Sequence, residues 1–524
     1  MRGIVPRKIK GFRDLGPELN QLKWQIVTEA AKVYRTYGFE HWDTPILEYA
    51  DCLGKYLPDS DSVAEGVYSF QNPEKEPVLQ ADGKELRDEW DHVVMENQFV
   101  TLRYDLTAPL ARLYAERLWL RHLKDPIQET KTPYFRRYQF GSVFRYEAKL
   151  DPGRFREFWQ ADFDSVGTAE PASDAETCMV LADAMEAVGL KRGSYIVHVN
   201  NRKILKGFLS SLSISSEEME QAILRVIDKA DKIGIEGIEG ELGRGRTDQS
   251  GAQIPGLQLA PNIIKSILGF LEKFSNEGKR QDVLVNLDRM NDMGPTAREG
   301  IDELQKIDQI LTRLNFNEER VIFNPTLVRG MAYYTGPVFE VQSLQTYKDD
   351  KGRERRVGSI CGGGRYDDLV KNLLGLKVPA TGASIGVDRL AELLTLTNQV
   401  PGTLCGPVLI IMFDDHLMVE YQGIARELRD IGMDVEVYYG AQRGLKKQLA
   451  YADEKNCPIA ILLGEDELKK GVVTVRNLRL GKEMADQISD KAEWKKKVQF
   501  EVPREELIEK IRQAREPAAR APHL

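Results

Sequence analysis

Hydrophobic positions recur along the chain in two rhythms, and the changes between them mark its elements. Leu22, Ile26, Val27, Ala30, Val33, Tyr34 and Tyr37 repeat at the spacing of one helix face, and Gly38 stands where such a helix stops. Residues 39–48 read as extended, with Pro45 confining the run to an edge or bulge because proline brings no ladder donor. Residues 74–96 turn acidic and polar with few apolar positions in phase, so a solvated excursion or long loop is expected there. Alternation returns over 99–107, an expected strand that leads into a helical pattern through Pro109, Leu110, Leu113 and Tyr114. Residues 138–146 and 155–166 then read as two antiparallel strands around the turn chemistry of 149–153.

A helical pattern over 170–190 precedes the strand-like run 195–200, and residues 201–317 are mostly helical in pattern, a candidate inserted domain. Strands are expected again at 321–323 and 337–341, and a small-residue strand from Gly382 runs into a helix continued by Leu393 and Leu394. A polar stretch over 398–406, with Pro401 and two glycines, reads as a linker. Beyond it, 408–413, 417–429, 435–439, 445–452 and 459–463 alternate as βαβαβ, which predicts a separate α/β domain with parallel strands, and 472–475 reads as one more strand. The Pro- and Ala-rich tail from Glu516 reads as frayed.

Composition narrows the function classes. The 524 residues allow two or three domains, and the apolar share of 42% is that of a globular protein. A net charge of −8 argues against a global positive field, so contact with nucleic acid would have to use local basic patches. The five cysteines, Cys52, Cys178, Cys361, Cys405 and Cys457, form no CxxC pair and have no histidine at zinc-ligand spacing, which reads as reduced, structural thiols. No apolar run approaches the roughly 18 residues of a membrane span, and residues 1–10 lack the apolar core of a signal peptide, so a cytoplasmic protein with no membrane partner is expected. Neither a P-loop nor a dinucleotide-binding glycine fingerprint is present.

The candidate chemistry is concentrated in two places. Residues 131–156 carry seven Lys/Arg against only Glu147 and Asp151, an asymmetry that calls for an anion inside an acidic protein. Arg145, between Phe144 and Tyr146, and Arg329, upstream of Tyr333 and Tyr334, each set a planar, permanently charged fork beside aromatic residues, which suits a phosphate. A salt-bridged hairpin would explain the charges of the first stretch, but not why Gln160 and Asp164 punctuate an aromatic-rich strand. Asp105 and Thr107, two residues apart, either share a strand face that can hold an ammonium group or form a helix N-terminal signal, the simpler reading. His198, alone in an apolar strand, reads as a satisfied structural residue.

These stretches resemble, in order, the motifs of class II aminoacyl-tRNA synthetases, and of the histidyl-tRNA synthetases within them. The helix and proline-bearing strand over 22–48 are similar to motif 1, the strand-loop-strand over 134–167 to motif 2, and 382–390 to motif 3, while 327–336 and 359–367 resemble the two histidine-specific motifs. The resemblance covers most of 10–167, 320–395 and 405–480. It implies an α+β fold: an antiparallel sheet flanked by helices in a catalytic domain split into 1–200 and 318–398, a helical insertion over 201–317 and an anticodon-binding α/β domain with its tail over 406–524. It further implies ATP with Mg²⁺, L-histidine and tRNA-His as ligands, a homodimer built on motif 1, and an insertion lying over the tRNA acceptor arm.

By the same resemblance Arg145, Arg329 and Arg389 are catalytic, and together with Glu147 and Arg154 they hold ATP. Asp105, Thr107, Gln160, Asp164, Tyr333, Tyr334 and Tyr366 bind histidine, and Lys149, Arg443, Lys446 and Lys447 meet tRNA. No metal is held by protein side chains alone. Two departures stand out: Ala332 where the family usually has aspartate, and Ala148-Lys149 where many bacterial relatives carry the Arg-Pro pair that meets the acceptor end. The competing expectations are a histidine-sensing regulatory paralogue, which would lack the C-terminal domain and active-site arginines, and a class II synthetase for another amino acid.

Overall fold

The computed structural model describes residues 5–54, 66–78, 84–88, 90–122, 132–146, 154–248, 251–275, 278–290, 292–328, 334–349, 351–399, 406–484 and 497–515. The chain divides into two compact units, 1–401 and 402–524.

The first unit is built on an eight-stranded sheet. Its strands are β1 (Glu40–His41), β2 (Phe135–Phe144), β3 (Glu157–Val166), β4 (Tyr195–Asn201), β5 (Val321–Phe323), β6 (Pro337–Ser343), β7 (Ser359–Arg365) and β8 (Ala380–Gly386), in the order β1-β2-β3-β8-β7-β6-β4-β5. All neighbours pair antiparallel except the two edge strands, β1 on β2 and β5 on β4, which run parallel. Pro45 falls between β1 and the short strand Leu47–Tyr49, outside any ladder, as its missing donor requires.

Helix α1 (Pro17–Thr36) starts on a proline that needs no N–H partner and ends at Tyr37, followed by Gly38 at φ +80°. Its inward stripe of Leu22, Ile26, Val27, Ala30 and Tyr34 is buried. Together with α3 (Pro171–Ala187) and α5 (Val387–Leu396) it covers one face of the sheet, in a core shared with Phe163, Val197, Phe339 and Ile385. Helix α2 (Thr107–His122) lies between β1 and β2 in the chain. Helices Arg202–Ser211 and Gly294–Arg313, the latter α4, pack on each other, and Ile204, Leu304 and Ile307 belong to that same core.

Three expectations are corrected. The strand expected over 99–107 stops at Leu102, and of the two readings of Asp105 and Thr107 the simpler one, a helix N-terminal signal, is the one observed. The acidic stretch 74–96 is not wholly loop: Glu76–Pro77 pairs with Met95–Glu96, and Arg87 bridges to Val93. The second unit's sheet, β9 (Val408–Ile411), β10 (Val435–Val437), β11 (Ile459–Leu462), β12 (Val472–Asn477) and β13 (Gln499–Pro503), is mixed. Its order is β10-β9-β11-β12-β13; the first three strands are parallel, as the βαβαβ rhythm implies, whereas β12 and β13 run antiparallel. Parallel strands need a crossover of a dozen or more residues, and the link from β11 to β12, with its one short helix Glu465–Lys470, is too brief for that.

Candidate active site

The pleat sorts the large sheet into two faces, because residues directly opposite one another on neighbouring strands point the same way. Arg137 and Gln139 of β2 stand opposite Asp164 and Asp162 of β3, which face Gly382 and Ser384 of β8, which in turn face Gly364 and Gly362 of β7. Val338 and Glu340 of β6, then Asn200 and His198 of β4, continue the row. The intervening residues, Tyr138, Phe163, Ile385, Cys361 and Phe339, point the other way into the helix-covered core. One face is therefore apolar, and the other is a floor of charged, amide and small residues.

The three glycines of β7, Gly362, Gly363 and Gly364, stand in the middle of a strand paired on both sides. A Cβ on Gly364 would stand 2.7 Å from the Tyr334 ring, and one on Gly382 would stand 2.3 Å from Asp164 Oδ1. Bare backbone at these points is what lets Tyr334 and Asp164 close over the floor.

Asp164 is the most confined group there. Its carboxylate accepts from the Tyr366 hydroxyl and lies 2.9 Å from Arg137 Nη2, with all three side chains buried. Burial pushes the Asp164 carboxyl up, while Arg137 and Tyr366 pull it back. Arg137 Nη2 also donates to the Leu106 carbonyl at 2.8 Å, tying the strand to the start of α2. Among the described residues no cation lies within ion-pair distance of Asp162, and burial raises it to about 7. Gln160 donates from Nε2 to Ser384 Oγ at 2.8 Å, while its buried Oε1 has no hydrogen-bond partner among the described residues. Asp105 caps α2, with Oδ1 accepting from Thr107 N at 3.1 Å and Ala108 N at 2.9 Å. Thr107 is thereby the first residue of that helix.

Arg145 leaves the end of β2 with its guanidinium 4.3 Å from the Tyr104 ring centroid and 5.3 Å from that of Phe158. Its Nε donates to the Tyr104 carbonyl at 3.2 Å. Such stacking holds a guanidinium flat while sparing most of its donors. Arg154 is half-buried at the start of the return strand, and Arg389 in the first turn of α5 donates to the Ser359 carbonyl at 2.6 Å. Glu147, Lys149, Arg329 and Tyr333 lie outside the described residues. Asn200, however, grips the chain just ahead of Arg329, donating to the carbonyls of Pro325 and Leu327. In the second unit, Arg443, Lys446 and Lys447 are exposed around the start of helix Leu445–Glu454.

Sequence reasoning passed over Arg137, Asp162, Ser384 and Asp388. The period-2 alternation through β3 was the available signal for Asp162, which sits midway between Gln160 and Asp164. Arg137 and Ser384 become visible only through strand register.

The chain matches the family model for histidyl-tRNA synthetase over residues 74–390, and that for an anticodon binding domain over 407–514. It is 42% identical to the histidine–tRNA ligase of Ruegeria sp. (strain TM1040) over 515 residues, covering 98% of this chain and 96% of that protein. It is 40% identical to that of Caulobacter vibrioides over 509 residues, covering 97% and 96%. The crystal structure of histidyl-tRNA synthetase from Nostoc sp. PCC 7120 superposes with a TM-score of 0.68 at 26% identity, covering 98% of this chain and all of that one. With the antiparallel floor, its arginines and a second α/β unit in place, the chain belongs to the histidyl-tRNA synthetase family, class II aminoacyl-tRNA synthetases that activate histidine with ATP and join it to tRNA-His.

Proposed function

We propose that this chain activates L-histidine on the polar floor of its first unit and transfers the histidyl group to the 3′ end of tRNA-His, with the following division of labour. The observation that carries the assignment is the buried Oε1 of Gln160, without a hydrogen-bond partner among the described residues, two and four residues from Asp162 and Asp164 on the same strand face. A buried acceptor without a donor costs roughly 1–3 kcal/mol, which a substrate ammonium would relieve. Asp105 and Thr107 add a carboxylate and a hydroxyl to that ammonium subsite. Asp164 and the tyrosines Tyr333, Tyr334 and Tyr366 read the imidazole. A neutral ring brings one donor and one acceptor, and sites built on such pairs reject analogues that lack them by about 10⁴–10⁵.

In the first step a histidine carboxylate oxygen attacks the α-phosphorus of MgATP and pyrophosphate departs. Arg145 and Arg329 stabilise the charge gathering on the α-phosphate, Glu147 and Arg154 contact the nucleotide, and Arg389 holds the leaving phosphates. Mg²⁺ arrives on the triphosphate as part of the substrate. In the second step a terminal ribose hydroxyl attacks the carbonyl carbon of the adenylate and AMP leaves, a reaction served by positioning rather than by a protein nucleophile. The insertion 201–317 would lie over the acceptor arm and the second unit would meet the anticodon, with Lys149, Arg443, Lys446 and Lys447 on the RNA.

A homodimer is supported by the small sheet Leu47–Tyr49, Phe99–Leu102 and Ser69–Gln71. Leu47, Tyr49 and Phe70 share one of its faces at 37–44% exposure, while Glu48 and Thr101 on the opposite face are buried. An apolar sheet face left open beside a buried polar one suits a second copy of the chain. None of the described helices is long and apolar enough to cross a membrane; the cytoplasm is proposed as the place of action because the proposed substrate, tRNA-His, is used there.

ATP/pyrophosphate exchange with each of the twenty amino acids tests the assignment. Exchange with histidine alone, abolished in Arg145→Ala and Arg329→Ala, is expected. Tight histidine binding without exchange would instead favour a histidine-sensing protein.

A further inference from the structure

The residues around Asp388 place the N-terminal segment at the nucleotide end of the site. Asp388 is buried at the start of α5, one residue before Arg389. Its carboxylate accepts from Arg13 Nη2 at 2.7 Å and from the backbone N–H of Trp159 at 2.6 Å, and lies 3.1 Å from Lys23 Nζ. Three separate parts of the chain, the N-terminal segment, α1 and β3, thus converge on one side chain.

Arg13 makes a second attachment. Its guanidinium lies over the Phe155 ring, 3.1 Å from the centroid, on the residue that follows Arg154. The segment just before it continues the seam. Gly11 O accepts from Arg156 N at 2.9 Å, and Lys10 O accepts from Arg156 Nη1 at 3.2 Å. Gly11 has φ +87°, and a Cβ there would stand 2.6 Å from Arg156 Cγ. Arg156 O in turn accepts from Arg145 N at 2.9 Å, and its guanidinium lies over the Tyr146 ring. Residues 10–13 therefore touch the immediate neighbours of Arg145, Arg154 and Arg389, three arginines carried by different elements.

Lys23 by itself neutralises the Asp388 carboxylate, and Glu392 and Glu157 lie within electrostatic reach of Arg13 and Lys23. Asp388 therefore keeps a cation when Arg13 is lost, and what Arg13 alone supplies is the tie from that carboxylate to the Phe155 ring.

We propose that Arg13 is a positioning residue for the ATP subsite: bridging Asp388 and Phe155, it sets the spacing between Arg389 and the pair Arg145/Arg154, so that one triphosphate meets all three. The proposal rests on the reading that these arginines contact ATP. Loss of Arg13 leaves Asp388 held by Lys23 and the Trp159 N–H but frees the Phe155 end of the bridge, so that Arg154 loses its fixed distance from Arg389. The consequence falls on ATP and not on histidine, whose subsites lie further along β3.

The test is ATP/pyrophosphate exchange by the full chain, with KM for ATP and for histidine measured in wild type, Arg13→Ala, Arg13→Lys and Arg389→Ala, beside thermal melting of each. Arg13 is partly exposed, so the variants should fold. Arg13→Ala should raise KM for ATP about tenfold, in the range a misplaced positioning contact produces, with KM for histidine within twofold of wild type. Arg13→Lys, which keeps the ion pair but loses the flat stack on Phe155, should recover part of it. Equal rises in both KM values, or a fall in melting temperature with both KM values unchanged, would assign Arg13 a structural role and overturn the proposal. If Arg389→Ala raises KM for ATP and Arg13→Ala does not, the positioning role fails while the ATP reading stands. If Arg389→Ala also leaves KM for ATP unchanged, it is the ATP reading that fails.

Discussion

At the scale of single residues, the site is a problem of buried charge. Gln160, Asp162 and Asp164 occupy consecutive positions of one strand face, and their environments differ because their cross-strand neighbours differ. Asp164 has Arg137 opposite it and Tyr366 on its carboxylate, so its charge is partnered. Asp162 faces Gln139 and Ser384, neither of which carries charge, and it is raised from 3.8 to about 7. A folded-state pKa above the unfolded value means that the folded protein holds the proton more tightly. The stability this contributes is present below about pH 4 and is lost as pH climbs through 7. Asp162→Asn, neutral throughout, should therefore gain on wild type as pH rises from 5 to 8, by on the order of 2 kcal/mol. Chemical denaturation of both proteins at the two pH values measures it; a constant difference would show that Asp162 titrates normally.

At the scale of elements, the start of α2 does two jobs. Asp105 satisfies two of the N–H groups that every helix leaves open, and in the proposed site it also faces the substrate ammonium. The two jobs separate by substitution. Asp105→Asn keeps a good cap but loses the charge, so it should raise KM for histidine at least tenfold with little change in melting temperature. Asp105→Ala should raise KM as well and in addition cost about 1 kcal/mol of stability. A cap without a substrate role would show the reverse, with Asp105→Asn active at wild-type KM. The strand expected here ends earlier because Asp105 offers the backbone a turn to bond to, a local competition that alternation of apolar residues does not register.

At the scale of the whole molecule, the proposed function gives the two units separable parts of the reaction. The second unit has its own core around Ile410, Tyr421, Ile424 and Ile461, distinct from that of the first. Replacing Arg443, Lys446 and Lys447 together by alanine should raise KM for tRNA in the charging reaction and make it less salt-dependent, with histidine-dependent pyrophosphate exchange at the wild-type rate. Loss of exchange would tie these residues to the first step instead. Phe70→Asp, which sets a charge into the open apolar sheet face, should convert a dimer to monomer in sedimentation equilibrium. A monomeric wild type, or a variant that still dimerises, would move the interface elsewhere.

What the sequence by itself determined is everything that depends on local order. The apolar stripe that became α1, the alternation and turn chemistry that became β2 and β3, the break at 398–406 and the order of arginine- and glycine-bearing motifs are all readable in one dimension, because helix and strand periods are properties of neighbours in the chain. Tertiary structure alone decided which of those residues meet. Strand register set Arg137 opposite Asp164 and bare Gly382 beneath it, and drew Arg13, Lys23 and Trp159 onto Asp388 across more than 200 residues of sequence. A buried ion pair has no signature in periodicity, since its two halves are fixed by packing between segments that do not adjoin.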